Sequence, residues 1–396
     1  MAHVLLGISG GIAAYKACEL TRLLTKSGHS VQVVMTDAAT HFVGPLTLQA
    51  LSGRPVALDS WDPLQPGGMD HIDLVRAADA FVVAPASADF MAKAALGLGG
   101  DLLSTLMLAR DAVPTLLAPA MNRAMWANPA VQRNASRLRA DGVRLAGPAA
   151  GEQACGEIGE GRMLEPEQLL CEIEALWQPG DLVGRRVLIT AGPTHEPWDA
   201  VRFLGNRSSG KMGWALARAA WERGAEVVLV AGPTALHHPH GVRVVAVQTA
   251  VQMRDAVLAE LAGCDLFVAA AAVADWAPAH ATQDKLKKQD GAEPPTLQLQ
   301  TNPDILAEIA SRADAPFCVG FAAEAQDLLA HARAKRVRKG VPLLVANVGS
   351  ETFGRDDNAC WLVDANGERQ LERMPKLALA RIILDTVAPQ LPHRRA

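Results

Sequence analysis

Aromatic side chains, clustered cysteines and long apolar runs are all scarce in this chain. Only 4% of its 396 residues are aromatic, and Tyr occurs once. The six cysteines are scattered, without the close spacing of a zinc site or a CxxC redox motif. The longest apolar run, residues 266–274, is too short to span a bilayer, and no signal segment precedes the first predicted strand. We therefore expect a cytoplasmic protein with reduced thiols and no membrane partner.

An excess of charge of either sign is absent as well. The chain has 38 Lys and Arg against 42 Asp and Glu, which gives a formal net charge of −4. This balance offers no basic surface for nucleic acid, so small molecules are the expected partners. The apolar fraction of 49% and the length favour two or three domains, each with a full core.

Short apolar runs flanked by Gly, Pro or Asp recur in both halves, as is typical of strands buried on both faces. In the first half they predict strands at residues 4–8, 31–35, 80–84 and 115–118. In the second half they predict strands at residues 187–190, 227–230, 266–270, 318–321 and 343–346. Helical patterns between the first two strands of each half indicate crossovers to parallel neighbours. We expect an α/β fold with two tandem doubly wound, mostly parallel sheets, in domains 1–178 and 184–396.

The first candidate site follows the first predicted strand, where Ser9, Gly10 and Gly11 form a turn that a ligand can approach closely. The spacing is not GxGxxG, and Thr36 stands where a dinucleotide site needs an acidic residue for the ribose. A hydroxyl at this position suits a phosphate better than it suits the diol of a ribose. The pattern therefore favours a mononucleotide, with FMN as the candidate, over NAD(P).

Further polar residues follow the third and fourth strands, at the sheet edge where open α/β folds bind ligands. Ser87 lies in PASAD and Asn122 in PAMNRAMW. His71 lies in GMDHIDL, and Cys155 in a Gly-rich stretch that we expect to be a disordered loop or a lid. Each has a purely structural alternative: Asn122 as a helix N-cap, His71 as a helix-entry residue and Cys155 as an inert thiol.

These motifs, with SGGIAAYK at residues 9–16 and QACGEIGEGRM at residues 153–163, resemble the flavin-dependent cysteine decarboxylases that act on phosphopantothenoylcysteine. The resemblance implies FMN, a flavodoxin-like sheet and a trimer with the flavin at the subunit interface. It implies that His71 is the active-site base or orienting group, that Asn122 holds the substrate carboxylate and that Cys155 is the proton donor on a flap. The flavin would accept and return a hydride, so that decarboxylation is redox-neutral overall.

The second half carries its own polar motifs. RFLGNRSSGKMG, with Asn206, offers hydroxyls and free N–H groups to an anion, although it is not a Walker loop. In AAAVADW, residues 270–276, Asp275 is predicted to end a buried strand, and it is expected either to face Mg²⁺ or to cap a helix. Lys285 lies in KLKK, which is alternatively a solvated charge run. TNPDIL predicts a helix start capped by Thr301 or Asn302.

Together with GFAAE and AKRVRKG, these motifs resemble the phosphopantothenate–cysteine ligases. The resemblance implies that Asn206 and Ala271 position the phosphopantothenate carboxylate, that Lys285 stabilises charge as pyrophosphate leaves, and that Asp275 faces the metal. The residues implied to bind CTP are Asp275, Lys285, Asn302, Pro303, Asp304, Ile305, Phe321, Lys335 and Lys339. The carboxylate would attack the α-phosphate of CTP, and the amine of cysteine would then displace CMP from the acyl-cytidylate.

The two resemblances together imply a bifunctional enzyme of coenzyme A biosynthesis. The ligase would make 4'-phosphopantothenoylcysteine and the decarboxylase would convert it to 4'-phosphopantetheine. We expect a homo-oligomer, for which trimers of one domain and dimers of the other would build a dodecamer. The alternatives are an NAD(P)-linked oxidoreductase, which the absent GxGxxG disfavours, and a non-catalytic flavin-binding regulator, which the presence of all the reactive side chains disfavours.

Overall fold

The computed structural model describes residues 1–59, 70–154, 156–287, 295–324, 327–348 and 354–392. The chain divides into two compact units, Met1–Gln178 and Pro179–Ala396. Within the described ranges, every helix is too short or too polar to cross a membrane.

The first unit alternates strands with helices. Its strands are β1 (His3–Ile8), β2 (Ser30–Met35), β3 (Ala80–Ala86), β4 (Thr115–Pro119), β5 (Arg144–Leu145), β6 (Ala149–Glu152) and β7 (Ile158–Arg162). Its helices are α1 (Ala14–Lys26), α2 (Asp37–Thr40), α3 (Pro45–Ser52), α4 (Asp70–Arg76), α5 (Ala88–Leu96), α6 (Leu102–Ala109), α7 (Arg123–Ala127), α8 (Pro129–Ala140) and α9 (Pro166–Glu174), with a 3-10 turn at Ala175–Trp177.

Among the described residues of this unit, five strands form a parallel sheet in the order β2-β1-β3-β4-β5. This is the flavodoxin-like order, and it reverses between β1 and β3. Separate apolar clusters cover the two faces of the sheet, as strands buried on both sides require. The four strands predicted for this half are confirmed.

The Gly-rich stretch at residues 147–161 is more ordered than the sequence suggested. β6 and β7 pair antiparallel as a hairpin outside the main sheet. The expectation of an irregular loop over this whole stretch is therefore wrong. Gly weakens a strand pattern in the sequence, but it still permits the ladder of backbone hydrogen bonds that makes the hairpin.

The second unit continues the numbering. Its strands are β8 (Arg186–Ala191), β9 (His195–Pro197), β10 (Phe203–Gly205), β11 (Glu226–Ala231), β12 (Arg243–Ala246), β13 (Leu266–Ala269), β14 (Trp276–Pro278), β15 (Leu299–Thr301), β16 (Phe317–Glu324), β17 (Leu343–Val348), β18 (Asp357–Val363) and β19 (Glu368–Pro375). Its helices are α10 (Lys211–Glu222), α11 (Ala250–Glu260), α12 (Ile305–Ala310), α13 (Leu328–Lys339) and α14 (Lys376–Val387), with a 3-10 turn at Ala388–Gln390.

In the described part of this unit, eight strands form one sheet in the order β12-β11-β8-β13-β16-β17-β18-β19. The first six are parallel and follow the Rossmann order, which reverses between β8 and β13. The last two are antiparallel, and these two and the edge strand β12 were not predicted. The predicted fold class, two tandem doubly wound and mostly parallel sheets, is confirmed.

A buried carboxylate joins α10 to α14. The Glu222 side chain is fully buried, with 0% exposure. It accepts hydrogen bonds from Arg218 Nε at 2.8 Å, and from Arg381 Nε at 3.0 Å and Nη2 at 2.7 Å. Arg381 lies on α14, so this ion pair fixes the position of α14 against α10. The first residues of both helices, Lys211 and Lys376, line one cleft.

We predict that Arg381→Leu lowers the free energy of unfolding of the second unit by about 2–3 kcal/mol, because it leaves a buried carboxylate with one partner. The matched control is Arg312→Leu, which breaks the exposed pair with Asp314 and should cost less than about 1 kcal/mol. Urea titration of the full chain measures both changes. Equal losses would show that the Glu222 pair does not hold α14 in place.

Candidate active sites

The crevice at the strand-order reversal of the first unit is held together by Ser9. Ser9 is 2% exposed. Its hydroxyl donates to Pro85 O and accepts from Ser87 N, both at 2.8 Å. The loops after β1 and β3 are therefore tied to each other at the point where a flavodoxin-like sheet opens. Because both hydrogen bonds of the Ser9 hydroxyl are made to the protein backbone, its main role is to fix the shape of the crevice.

Gly10 and Gly11 differ in the space around them. A Cβ on Gly10 would lie 2.6 Å from Ala38 Cβ and 3.1 Å from the Ala38 carbonyl carbon, whereas a Cβ on Gly11 would meet nothing within 4 Å. Gly10 therefore lets the first loop pass close to the start of α2. Gly11 lies beside open space. Helix α1, which follows, begins without a side-chain cap on its N–H groups.

Thr36 and Ser87 are both helix N-caps. Thr36 Oγ1 accepts from Ala39 N at 3.3 Å, and Ser87 Oγ accepts from Phe90 N at 3.2 Å. A hydroxyl that accepts from a cap N–H still carries its own proton to donate. Both side chains are therefore oriented by capping and able to donate to an anion.

Asn122 is the N-cap of α7 and also contacts the hairpin. Its Oδ1 accepts from Ala124 N and its Nδ2 donates to Glu157 Oε2, both at 2.7 Å. Met121 N donates to Gly161 O at 2.9 Å, so the hairpin is anchored beside the segment that follows β4. The cap interpretation is correct, and it leaves the Asn122 amide paired with a carboxylate.

The structure describes the two remaining predicted residues of this site, His71 and Cys155, only in part or not at all. His71 belongs to α4, near its start, but its side chain lies outside the described part of the chain. Cys155 falls between β6 and β7 and also lies outside the described residues.

The strand-order reversal of the second unit opens into a cleft of about 900 Å³. The predicted residues that line it are Asn206, Ala271, Asp275, Asn302, Pro303, Asp304, Ile305, Phe321, Lys335 and Lys339. Lys285 does not line the cleft. It is exposed on a segment in which Leu286 N donates to Asp199 Oδ2 at 3.2 Å.

Two asparagines fix the loop that follows β13. Asn206 Nδ2 donates to Ala272 O at 3.0 Å and to Val273 O at 3.2 Å. Asn302 Nδ2 donates to Ala274 O at 2.8 Å, and Asn302 N to Asp275 O at 2.9 Å. The buried strand ends at Ala269, so the prediction that Asp275 itself ends that strand is wrong.

The predicted cap of the next helix is also wrong. Asp304, rather than Thr301 or Asn302, is the N-cap of α12, and its Oδ1 accepts from Ala307 N at 3.1 Å. The Asn302 amide is already used by the loop that follows β13. Asp304 Oδ2 pairs with Lys339 Nζ. Burial lowers the pKa of Lys339, and the negative charge of Asp275 opposes that shift.

The carboxylates that line the cleft are the candidate ligands for a metal ion. Among the described residues, no group of three or more His, Cys, Asp or Glu side chains forms a preassembled metal site. Asp275 is exposed at the cleft. One carboxylate that shares an ion with substrate phosphates is the usual arrangement for Mg²⁺. The cleft therefore fits a metal that arrives with a nucleotide.

Sequence reasoning missed three polar residues of this cleft, Asn347, Asn358 and Lys376, whereas Lys211 belongs to a turn that it had identified. Lys211 stands in SGKMG, which was noted as an anion-binding turn, so a signal for it existed. The other three lie on β17, β18 and α14. Only the antiparallel extension of the sheet brings Asn358 and Lys376 to the cleft.

Comparisons with known proteins cover the whole chain. The Flavoprotein family model matches residues 1–178, and the model described as DNA/pantothenate metabolism flavoprotein C-terminal domain matches residues 182–391. The coenzyme A biosynthesis bifunctional protein CoaBC of Vibrio cholerae serotype O1 is 48% identical over 98% of each chain. CoaBC of Escherichia coli K12 is 44% identical over 99% of this chain and 98% of its own. A crystal structure of a CoaBC C-terminal domain is 35% identical and covers 53% of this chain and 97% of its own, with a TM-score of 0.46.

Proposed function

The chain belongs to the CoaBC family of bifunctional coenzyme A biosynthesis proteins, and we propose that each of its units carries one activity. The enzyme combines a decarboxylase with a ligase. We assign decarboxylation of 4'-phosphopantothenoylcysteine to Met1–Gln178 and CTP-dependent joining of cysteine to 4'-phosphopantothenate to Pro179–Ala396. The observation that supports this assignment is that each unit has predicted residues at its own strand-order reversal, with Ser9 between the loops in the first unit and ten residues in the lining of the cleft in the second.

The first crevice fits the phosphate end of FMN. The hydroxyls of Thr36 and Ser87, the space beside Gly11 and the uncapped start of α1 all offer donors or room to an anion. The second strand of this sheet ends at Met35 and Thr36 follows it, so a hydroxyl stands at the position where a dinucleotide site has the carboxylate that binds the ribose. A bound flavin supplies a reversible two-electron acceptor, which decarboxylation without net redox change requires.

We assign the substrate carboxylate of the decarboxylase to Asn122. In the ligand-free chain the Asn122 amide donates to the carboxylate of Glu157. A substrate carboxylate that binds Asn122 would displace Glu157, because two negative charges repel each other at one donor. His71 is assigned as the base or orienting group and Cys155 as the proton donor. The hairpin that brackets Cys155 is anchored beside Asn122, which supports a proton donor close to the carboxylate site.

In the ligase unit, cations at the cleft would offset the charge of the CTP phosphates. Lys335 and Lys339 line the cleft on the α13 side, with Asp275 available to a Mg²⁺ ion bound between the carboxylate and the phosphates. Asn206 and Ala271 lie together at the loop after β13, where they would hold the carboxylate that attacks the α-phosphate. Cysteine would then displace CMP from the acyl-cytidylate.

The assembly and location of the enzyme complete the proposal. We propose a cytoplasmic homo-oligomer that acts on small molecules, with trimers formed by the first unit and dimers by the second. Sedimentation of the purified chain tests this arrangement, which predicts a dodecamer.

The function is tested by one assay on the purified full chain. With 4'-phosphopantothenate, cysteine, CTP and Mg²⁺, the expected products are pyrophosphate, CMP, CO2 and 4'-phosphopantetheine. Phosphopantothenoylcysteine supplied alone should release CO2 without CTP. Pyrophosphate without CO2 would contradict the decarboxylase assignment, and CO2 from phosphopantothenoylcysteine without pyrophosphate from the full mixture would contradict the ligase assignment.

We predict that Gly10→Ala lowers the FMN content of the purified protein at least severalfold. The added Cβ would push the first loop away from Ala38 and so distort the crevice. Gly100→Ala is the control, since a Cβ on Gly100 meets no protein atom within 4 Å and Gly100 is assigned to no ligand. Flavin absorbance relative to protein absorbance measures both. Full FMN content in Gly10→Ala would contradict a phosphate site at this turn.

Lys285 lies outside the cleft of the ligand-free chain, and we assign it, from the family resemblance, to the charge of the leaving pyrophosphate. On this assignment Lys285→Gln should slow single-turnover release of pyrophosphate by about a hundredfold, as loss of an electrostatic donor typically does. Lys287→Gln is the control, because Lys287 is equally exposed on the same segment. It should leave the rate unchanged. Equal rates in both variants would remove Lys285 from the catalytic assignment.

A further inference from the structure

The lining of the ligase cleft includes two residues, Asn358 and Lys376, that neither the motifs nor the family resemblance assigns to a ligand. Lys211, from the SGKMG turn, begins α10, Lys376 begins α14, and Asn358 contributes to the same lining from β18. The residues implied to bind CTP on α12 and α13 line the opposite side of the sheet. The part of the cleft lined by Lys211, Asn358 and Lys376 therefore offers a ligand different groups from the part that is implied to bind CTP.

Asn358 is a buried amide without a hydrogen bond. The residue is 1% exposed, and within the described part of the chain neither its Nδ2 nor its Oδ1 has a partner. Buried side-chain amides are almost always paired, because an unpaired one costs free energy, so an unpaired amide in the lining of a cleft is able to pair with a ligand. A register shift between Asn358 and Cys360 marks a bulge, a device that re-aims side chains next to active sites.

The neighbours of Asn358 favour an anion. Lys211 Nζ donates to Asp356 Oδ1 at 2.6 Å and to Gly354 O at 3.1 Å, and Lys376 Nζ donates to Arg355 O. Burial, and then the positive charge of Lys211, lower the pKa of Lys376, and the carboxylates of Asp356 and Asp357 oppose that shift. Helix α10 begins with no side-chain cap, which leaves its N–H groups to an anion.

We propose that Asn358 is a substrate-binding residue of the ligase, which pairs with the hydroxyl and amide part of 4'-phosphopantothenate while the phosphate lies near Lys211, Lys376 and the start of α10. This inference rests on the proposed ligase function. The substrate carries a hydroxyl and an amide a few bonds from its phosphate. Both groups donate and accept, so they complement an amide whose two polar atoms are unpaired.

The test uses Asn358→Leu in the full chain. The KM for 4'-phosphopantothenate should rise about tenfold or more, while the KM for CTP and for cysteine stay within about twofold. The unfolding temperature of the substrate-free variant should be equal to or above that of the wild type, because an unpaired buried amide has been removed. Asn366→Leu, at an exposed turn between β18 and β19, is the control and should change no KM.

Asn358→Asp is a second variant of nearly the same shape. Its carboxylate should also raise the KM for phosphopantothenate, because it opposes the approach of the anionic substrate to Lys211 and Lys376. A KM that is unchanged in both variants, or a loss of folding in Asn358→Leu, would overturn the assignment of Asn358. Wild-type protein that releases no pyrophosphate would instead contradict the ligase function itself.

Discussion

Both sites of this chain depend on one constraint, the reversal of strand order in a parallel sheet. Connections on the two sides of the reversal leave toward opposite faces, so the loops diverge and open a crevice between neighbouring strands. In the first unit Ser9 ties the two loops to each other. In the second, a Cβ on Gly213 would lie 2.3 Å from Ala191 Cβ, so glycine lets α10 pack directly on β8. The course of the backbone creates each crevice, and the side chains that line the crevice determine which ligand binds there.

Several candidate binding residues also cap helices, so the structural and functional interpretations of these positions are compatible. Thr36, Ser87, Asn122 and Asp304 each accept a hydrogen bond from a helix N–H group. Capping holds the side chain in one orientation and leaves a donor or a second oxygen for another partner. Asn358 is the opposite case, because its orientation comes from packing and strand geometry while its amide is unpaired among the described residues.

The charges of the ligase cleft are arranged for an anionic substrate. Burial lowers the pKa of both Lys339 and Lys376, so these cations are held where water compensates them poorly. A bound phosphate would oppose that shift, because a nearby negative charge favours the protonated lysine. The cleft thus carries a desolvation cost in the free enzyme that phosphate binding offsets, which favours binding of anions over neutral molecules.

The sequence by itself determined the parallel strands of both sheets except the edge strands β5 and β12, and most of the motif residues that line the cleft, because apolar runs and turn residues act over a few neighbours. It failed for β6, β7, β18 and β19, whose stability comes from pairing with a partner strand rather than from their own composition. Only the tertiary structure decided that Asp304 caps α12, since the Asn302 amide is used by another loop. Likewise, Asn358 and Lys376 reach the cleft only because the sheet extends antiparallel and Glu222 pairs with Arg381, 159 residues away. Contacts that distant depend on the packed fold, so no local pattern encodes them.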